Sequence, residues 1–172
     1  MSLFVRRAVP EDAAALAAVE VASSRAAYRD LMPAAFLAGL SIEEKAQNWR
    51  QDFARHTPSG RERVTVAVGE AGIVGLVSVG PVLEEAEAGI VYLLYVMPEH
   101  WGGGVGKALM NTAMADFRDM GMSEAVLWVF RDNHRARRFY EKFGWQADGQ
   151  TSTRDYGGVT LEALCYRRAV ET

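Results

Sequence analysis

A chain of 172 residues, 49% hydrophobic and 24% charged, is long enough to bury a core and reads as one globular domain spanning 1–172. A net charge of −3 argues against a broad nucleic-acid surface, and no apolar run reaches the length of a membrane span, so neither nucleic acid nor a membrane is expected as a partner. The single cysteine, Cys165, excludes a disulfide framework, three scattered histidines offer no metal site, and the early charges of "MSLFVRRAVPED" lack a signal-peptide core, which together point to the cytoplasm.

The first element is a short strand over 3–7. Pro10 and two acids then open a helix through "PEDAAALAAVEVASSRAAY", with Leu16, Val19 and Ala27 as core positions. Pro33 restarts the chain. Ser41 to Glu44 has the form of a capping box, and Ala46, Trp49 and Phe53 recur at helical spacing. Residues 57–60 read as a loop, and 63–69 and 73–80 read as a hairpin joined by Glu70, Ala71 and Gly72. An acidic connection, 81–87, leads to the long apolar strand 88–97, which is expected to be central and buried on both faces.

A glycine run follows, then a helix with Val105, Leu109, Ala113, Phe117 and Met120 on one stripe and Gly121 at its end. Strand 123–130 comes next. Asn133 caps a helix carrying Ala136, Phe139, Tyr140 and Phe143 on one face, and strands near 145–151 and 159–167 flank a turn at 155–158. The order is mixed α/β, and its hairpins rule out an all-parallel sheet.

The stretch "MPEHWGGGVGKALM" decides what the glycines can hold. A Walker loop fails because Trp101 stands at its first glycine and Ala108 at its magnesium hydroxyl. A dinucleotide fingerprint fails because Lys107 or Leu109 falls on its last glycine. What remains is a glycine turn feeding a helix N-terminus, which is either an anion site or a device for tight strand–helix packing.

Residues 91–107, "VYLLYVMPEHWGGGVGK", resemble the acetyl-CoA-binding motif of the GNAT superfamily of N-acetyltransferases. The pattern is Arg or Gln, two variable residues, Gly, an apolar residue, then Gly or Ala. Trp101, Gly102, Gly103, Gly104, Val105 and Gly106 occupy it, with Trp101 as the departure. A second stretch, 127–149, resembles the motif that follows in that family through Asn133, Ala136, Phe139-Tyr140 and Gly144-Trp145.

The resemblance implies an acyl-CoA N-acyltransferase fold: a central, mostly antiparallel sheet with a splayed parallel strand pair and helices on both faces. It implies acetyl transfer from acetyl-CoA, with no metal, to a small-molecule or peptide amine in a ternary complex. The alternative is an acyl-CoA-binding or regulatory module without turnover. Leu94, Tyr95 and Val96 would pair with the pantetheine arm, and 102–107, including Lys107, would wrap the pyrophosphate. A backbone N–H near Tyr95 or Val96 would face the oxyanion. Asn133 would bind the arm, and Arg135 or Arg138 would meet the 3′-phosphate. Tyr140 becomes the candidate general acid, although periodicity alone reads it as packing against Phe143.

Glu87 and Tyr92, at the start of the central strand and within it, are the candidate bases, although Glu84, Glu85 and Glu87 also read as a solvated connection. His100 faces solvent or the cofactor ribose. Tyr28, Arg29 and Trp49 are the candidate acceptor-binding residues, with core packing as the other role for such aromatics. A homodimer through the C-terminal strands is also expected.

Overall fold

The computed structural model describes residues 2–55 and 62–171. The loop expected at 57–60 lies outside them. Seven strands form one sheet: β1 (Phe4–Arg7), β2 (Arg63–Gly69), β3 (Gly72–Pro81), β4 (Ala88–Val96), β5 (Glu124–Phe130), β6 (Gln146–Tyr156) and β7 (Val159–Ala169). Their order is β1-β2-β3-β4-β5-β7-β6, and every neighbouring pair is antiparallel except β4–β5. The helices are α1 (Ala13–Ala27), α2 (Ala34–Ala38), α3 (Ile42–Arg55), α4 (Val105–Asp119) and α5 (His134–Lys142).

Strand alternation sends neighbouring side chains to opposite faces of the sheet, and a bulge in β4 at Tyr92, beside the step from Ser78 to Val79, sends Val91 and Leu93 to opposite faces as well. Val77, Val79, Val91 and Leu127 meet α4 and α5, whereas Val64, Val66, Leu76 and Leu93 meet α1 and α3. The helices thus cover both faces. The expected α4 stripe is buried from Val105 to Phe117. Gly89 lets the Phe117 ring lie flat on β4, since a Cβ there would come within 2.3 Å of that ring. Asp116, on the same helix, is 3% exposed and takes hydrogen bonds from Arg7 of β1 and Arg63 of β2. Burial alone would raise its pKa; the two guanidiniums prevail and hold it below the usual carboxylate range.

The front differs in detail from the sequence reading. A 3-10 turn, Pro10–Asp12, precedes α1, and the Asp12 carboxylate is spent on Arg6 and the Val9 N–H rather than on the helix. Pro33 begins the five-residue α2, which pattern reading passed over. Ser41 does cap α3, its Oγ accepting from the Glu44 N–H at 3.2 Å. Strand β6 is longer than expected because a bulge between Ala147 and Thr151, containing Gly149 at φ 91°, lets pairing with β7 resume. Strand β4 is buried on both faces only at its start; Tyr92 is 45% exposed.

Candidate functional site

The half-exposed end of β4 is where the sheet opens. Strands β4 and β5 stay in register from Ala88 opposite Glu124 to Val91 opposite Leu127, and there the ladder stops. A cleft of about 1280 Å³ runs along the parting, bordered by β4 residues 92–96 and β5 residues 128–130. On the far side of β4 the Met97 N–H donates to Val74 O at 2.8 Å. Antiparallel alternation therefore commits Tyr95, opposite Leu76, to β3 and turns the backbone groups of Leu94 and Val96 into the gap. Of the two oxyanion N–H candidates, the geometry leaves that of Val96.

At the end of β4 the chain turns through Pro98–His100 into the glycine loop. Gly102 and Gly104 have φ of 76° and 88°, a region that L side chains avoid, so the turn itself demands glycine there. The first ladder bond of α4 runs from Ala108 N to Gly104 O at 3.0 Å. The N–H groups of Val105, Gly106 and Lys107 precede it and have no partner within the helix. They and the helix dipole favour an anion at this spot. Gly106 serves packing: a Cβ there would lie 3.2 Å from the Phe139 ring of α5. Both readings of the glycines therefore apply, at different positions. Gly102, Gly104, Gly106 and Lys107 border the cleft. Gly103 does not, and the Val105 side chain is in the core.

Trp101 closes one end of the gap. Its Nε1 donates to Val96 O at 2.8 Å, and the Arg135 guanidinium lies 3.4 Å above its ring. The Ser23 Oγ of α1 donates to the same carbonyl at 2.9 Å. On α5, Asn133 caps the helix, its Oδ1 accepting from the Ala136 N–H at 3.2 Å, while the residue also borders the cleft. Tyr140 borders it too. Its ring sits edge-on to Phe139 and Trp145 at 5.4 and 6.4 Å, and its hydroxyl has no hydrogen-bond partner among the described residues. Burial first, and Tyr95 next, push its pKa well above that of an ordinary tyrosine, with Arg135 acting in the opposite direction.

Charge divides the cleft. Lys45, Lys107, Arg135, Arg138, Lys142 and Arg154 border it, and the only carboxylate to do so among the described residues is Glu20, which is paired with Lys45. Two basic residues of the α5 region are committed elsewhere, Arg131 to Glu162 and Arg137 to Tyr166 and the Arg131 carbonyl. No group of three His, Cys, Asp or Glu suited to a metal occurs among the described residues. None of the described helices is long and apolar enough to cross a membrane.

Several sequence candidates lie away from the end of β4 where the sheet opens. Glu87 stands before β4 and accepts from Ser123 Oγ at 3.2 Å. Nine residues of strand separate it from Val96, about 30 Å at roughly 3.3 Å per residue. The acidic connection stays with it, Glu85 being tied to Arg167. Arg29 is exposed and does not border the cleft. Trp49 packs in the core between α1 and α3 and does not border the main cleft, but its Nε1 donates to Glu20 Oε2 at 3.1 Å and it borders a smaller adjoining cavity. Tyr92 does border the cleft, but its hydroxyl donates to the Pro81 carbonyl at 3.2 Å. Tyr28 borders the cleft, its ring against Phe130 at a distance of 5.3 Å and in contact with Tyr95.

Glu20 was missed by sequence reasoning, though it left a signal. It follows Leu16 by four residues and, with Ser23 and Ser24, puts polar groups on the buried face of an alanine-rich helix.

The chain matches the acetyltransferase (GNAT) family over residues 25–145, a span that includes β4, α4, β5 and α5. It is 31% identical over 132 residues to the uncharacterized N-acetyltransferase YuaI of Bacillus subtilis (strain 168), covering 75% of this chain and 72% of that protein. Among solved structures, PaiA N-acetyltransferase from Thermoplasma acidophilum, in complex with coenzyme A, shares the fold with a TM-score of 0.77 at 22% identity, covering 95% of this chain and 98% of that one. Nourseothricin acetyltransferase is 30% identical with a TM-score of 0.59, covering 68% and 71%.

Proposed function

The chain belongs to the acetyltransferase (GNAT) family, and from that premise we propose that it transfers the acetyl group of acetyl-CoA to a primary amine by direct attack in a ternary complex. The observation that carries the reading is the parting of β4 and β5 beyond Val91 and Leu127, with Tyr140 bordering the cleft it opens. The residues present suit acetyl-CoA. The gap-facing N–H and C=O of Leu94 match the amides of a pantetheine arm, as an added strand would, while the Val96 carbonyl is already taken by Trp101 and Ser23. The N–H groups of 105–107 and the surrounding cations match its phosphates.

Bound acetyl-CoA supplies an already activated acyl group, so the protein's tasks are placement and proton management. Val96 N–H is aimed at the charge that develops on the acyl oxygen. The Tyr140 hydroxyl stays protonated at neutral pH, and it holds a proton for the leaving thiolate. Asn133, Arg135 and Arg138 border the path of the cofactor.

Calorimetry with acetyl-CoA, CoA and ATP, followed by thiol release across a panel of amines that includes nourseothricin, tests the reading. CoA binding with amine-dependent thiol release is the expected result. ATP binding without CoA binding overturns the cofactor assignment. CoA binding with no thiol release from any amine leaves a binding module in its place.

A further inference from the structure

We infer that Glu20 is the carboxylate that docks the acceptor's ammonium group, and that Lys45 holds the place this ammonium would take. The inference rests on the acetyl-transfer reading and deepens it by naming the acceptor class. Among the described residues Glu20 is the only carboxylate on a cleft whose other charged residues are cations. It is 9% exposed, and a charge so placed is screened less than one at the surface. Its position is fixed, because Trp49 Nε1 donates to Oε2 at 3.1 Å.

The other oxygen shows what the site accepts. Lys45 Nζ lies 3.0 Å from Glu20 Oε1. A lysine head is a primary ammonium on an unbranched four-carbon stem. The fold thus already seats a primary alkylammonium on this carboxylate, supplied from α3. The Lys45 side chain is 35% exposed, which leaves it room to swing out. A carboxylate offers about four acceptor positions, and these two contacts leave others open.

The position also fits an entry route. A second cavity of about 380 Å³ shares Glu20, Lys45, Tyr92 and Leu93 with the main cleft. An amine arriving through it would meet the carboxylate before the thioester. Glu20 also acts electrostatically on Tyr95, the neighbour of Val96 on β4. The acceptor class is therefore a primary amine on an unbranched aliphatic stem, such as a lysine-like side chain or an aliphatic diamine.

The test uses 1,4-diaminobutane, propylamine and Nα-acetyl-lysine amide as probes, with thiol release and calorimetry of the CoA-loaded protein as readouts. Glu20→Gln keeps an acceptor for Trp49 and removes the charge. It should raise the amine KM about 10-fold or more, change kcat less than about 3-fold and leave CoA affinity unchanged, as expected when docking alone is lost. Calorimetric binding of 1,4-diaminobutane should disappear in the same variant. Lys45→Met should lower the amine KM by removing the resident competitor. An unchanged amine KM in Glu20→Gln overturns the inference, as does a Lys45→Met variant whose KM rises as far as that of Glu20→Gln. Should Glu20→Gln fail to fold, the direction of the Lys45→Met shift decides. A wild-type protein that binds CoA but acetylates no amine refutes the acetyl-transfer reading itself. A wild-type protein that turns over amines indifferently to Glu20 refutes only the docking role.

Discussion

Replacing Tyr140 with Phe isolates one hydroxyl. The ring keeps its contacts with Phe139 and Trp145, and the hydroxyl has no hydrogen-bond partner among the described residues, so no buried group is orphaned. Stability should therefore change by less than about 1 kcal/mol. CoA affinity should hold for the same reason. Turnover should fall about 10- to 100-fold, near the low end of general acid catalysis and equal to about 1.4–2.7 kcal/mol of barrier. The assay is single-turnover thiol release at saturating amine, which excludes product release from the measured rate.

The pH profile adds a second check on Tyr140. Burial raises its folded pKa above the ordinary value of about 10, so its hydroxyl remains protonated through the mildly alkaline range. An alkaline fall in turnover below about pH 10 would then belong to another group. The linked stability effect has a definite sign. The unfolded chain ionises first, so stability falls as pH rises from about 10 toward the folded value, and this fall should be shallower in the Phe variant. An unchanged single-turnover rate in Tyr140→Phe would leave the residue as packing and refute the proton-donor role.

Gly89→Ala should destabilise by about 1–3 kcal/mol, read from the denaturant midpoint, because its Cβ would come within 2.3 Å of the fully buried Phe117 ring; an unshifted midpoint would mean that α4 slides freely on the sheet. Asp116→Ala leaves Arg7 and Arg63 facing each other and should cost about 2 kcal/mol, less than a fully buried pair because the Arg7 side chain is half exposed. The lowered pKa of Asp116 gives the wild type stability that is present above about pH 4 and lost as pH falls through the folded value, so an acid titration of the variant should lack that loss. Trp101→Phe keeps a ring beneath Arg135 but loses the bond to Val96 O, and calorimetry should show CoA binding weakened by about 0.5–1.5 kcal/mol; unchanged affinity would separate Trp101 from the cofactor site.

Much of this architecture was legible because local rules and the global fold agree. The α4 stripe, the Asn133 cap and the hairpin of β2 and β3 each follow from periodicity or turn chemistry. The parting after Val91 came from the family resemblance, since nothing in the apolar run 88–97 marks where pairing stops. The front of the chain was harder to read. Trp49 and Tyr28 are both aromatics near helix ends or faces, yet one is core and the other borders the cleft. Only the packing of α1 on α3 separates them, and that packing is long-range. Glu87 lies away from the cleft for a related reason. Its nearness in sequence to β4 is nearness to the wrong end of a strand, and pattern reading gives a strand no direction relative to the site.

Trp101 is where the sequence breaks the family pattern, and the structure supplies a physical account of that break. The pattern places a long polar side chain beside the loop. Here an indole occupies the position and does two things. Its N–H satisfies the Val96 carbonyl at the end of the gap, which would otherwise point into the cleft with only Ser23 as a partner. Its face holds the Arg135 guanidinium at 3.4 Å, and stacking on an aromatic orders a flexible cation at an exposed site by about 0.5–1 kcal/mol. Arg135 makes no ion pair among the described residues, and it stands on α5 next to the glycine loop. A long polar donor of the kind the pattern asks of one element is thus supplied by a neighbouring one, and the tryptophan is what aims it.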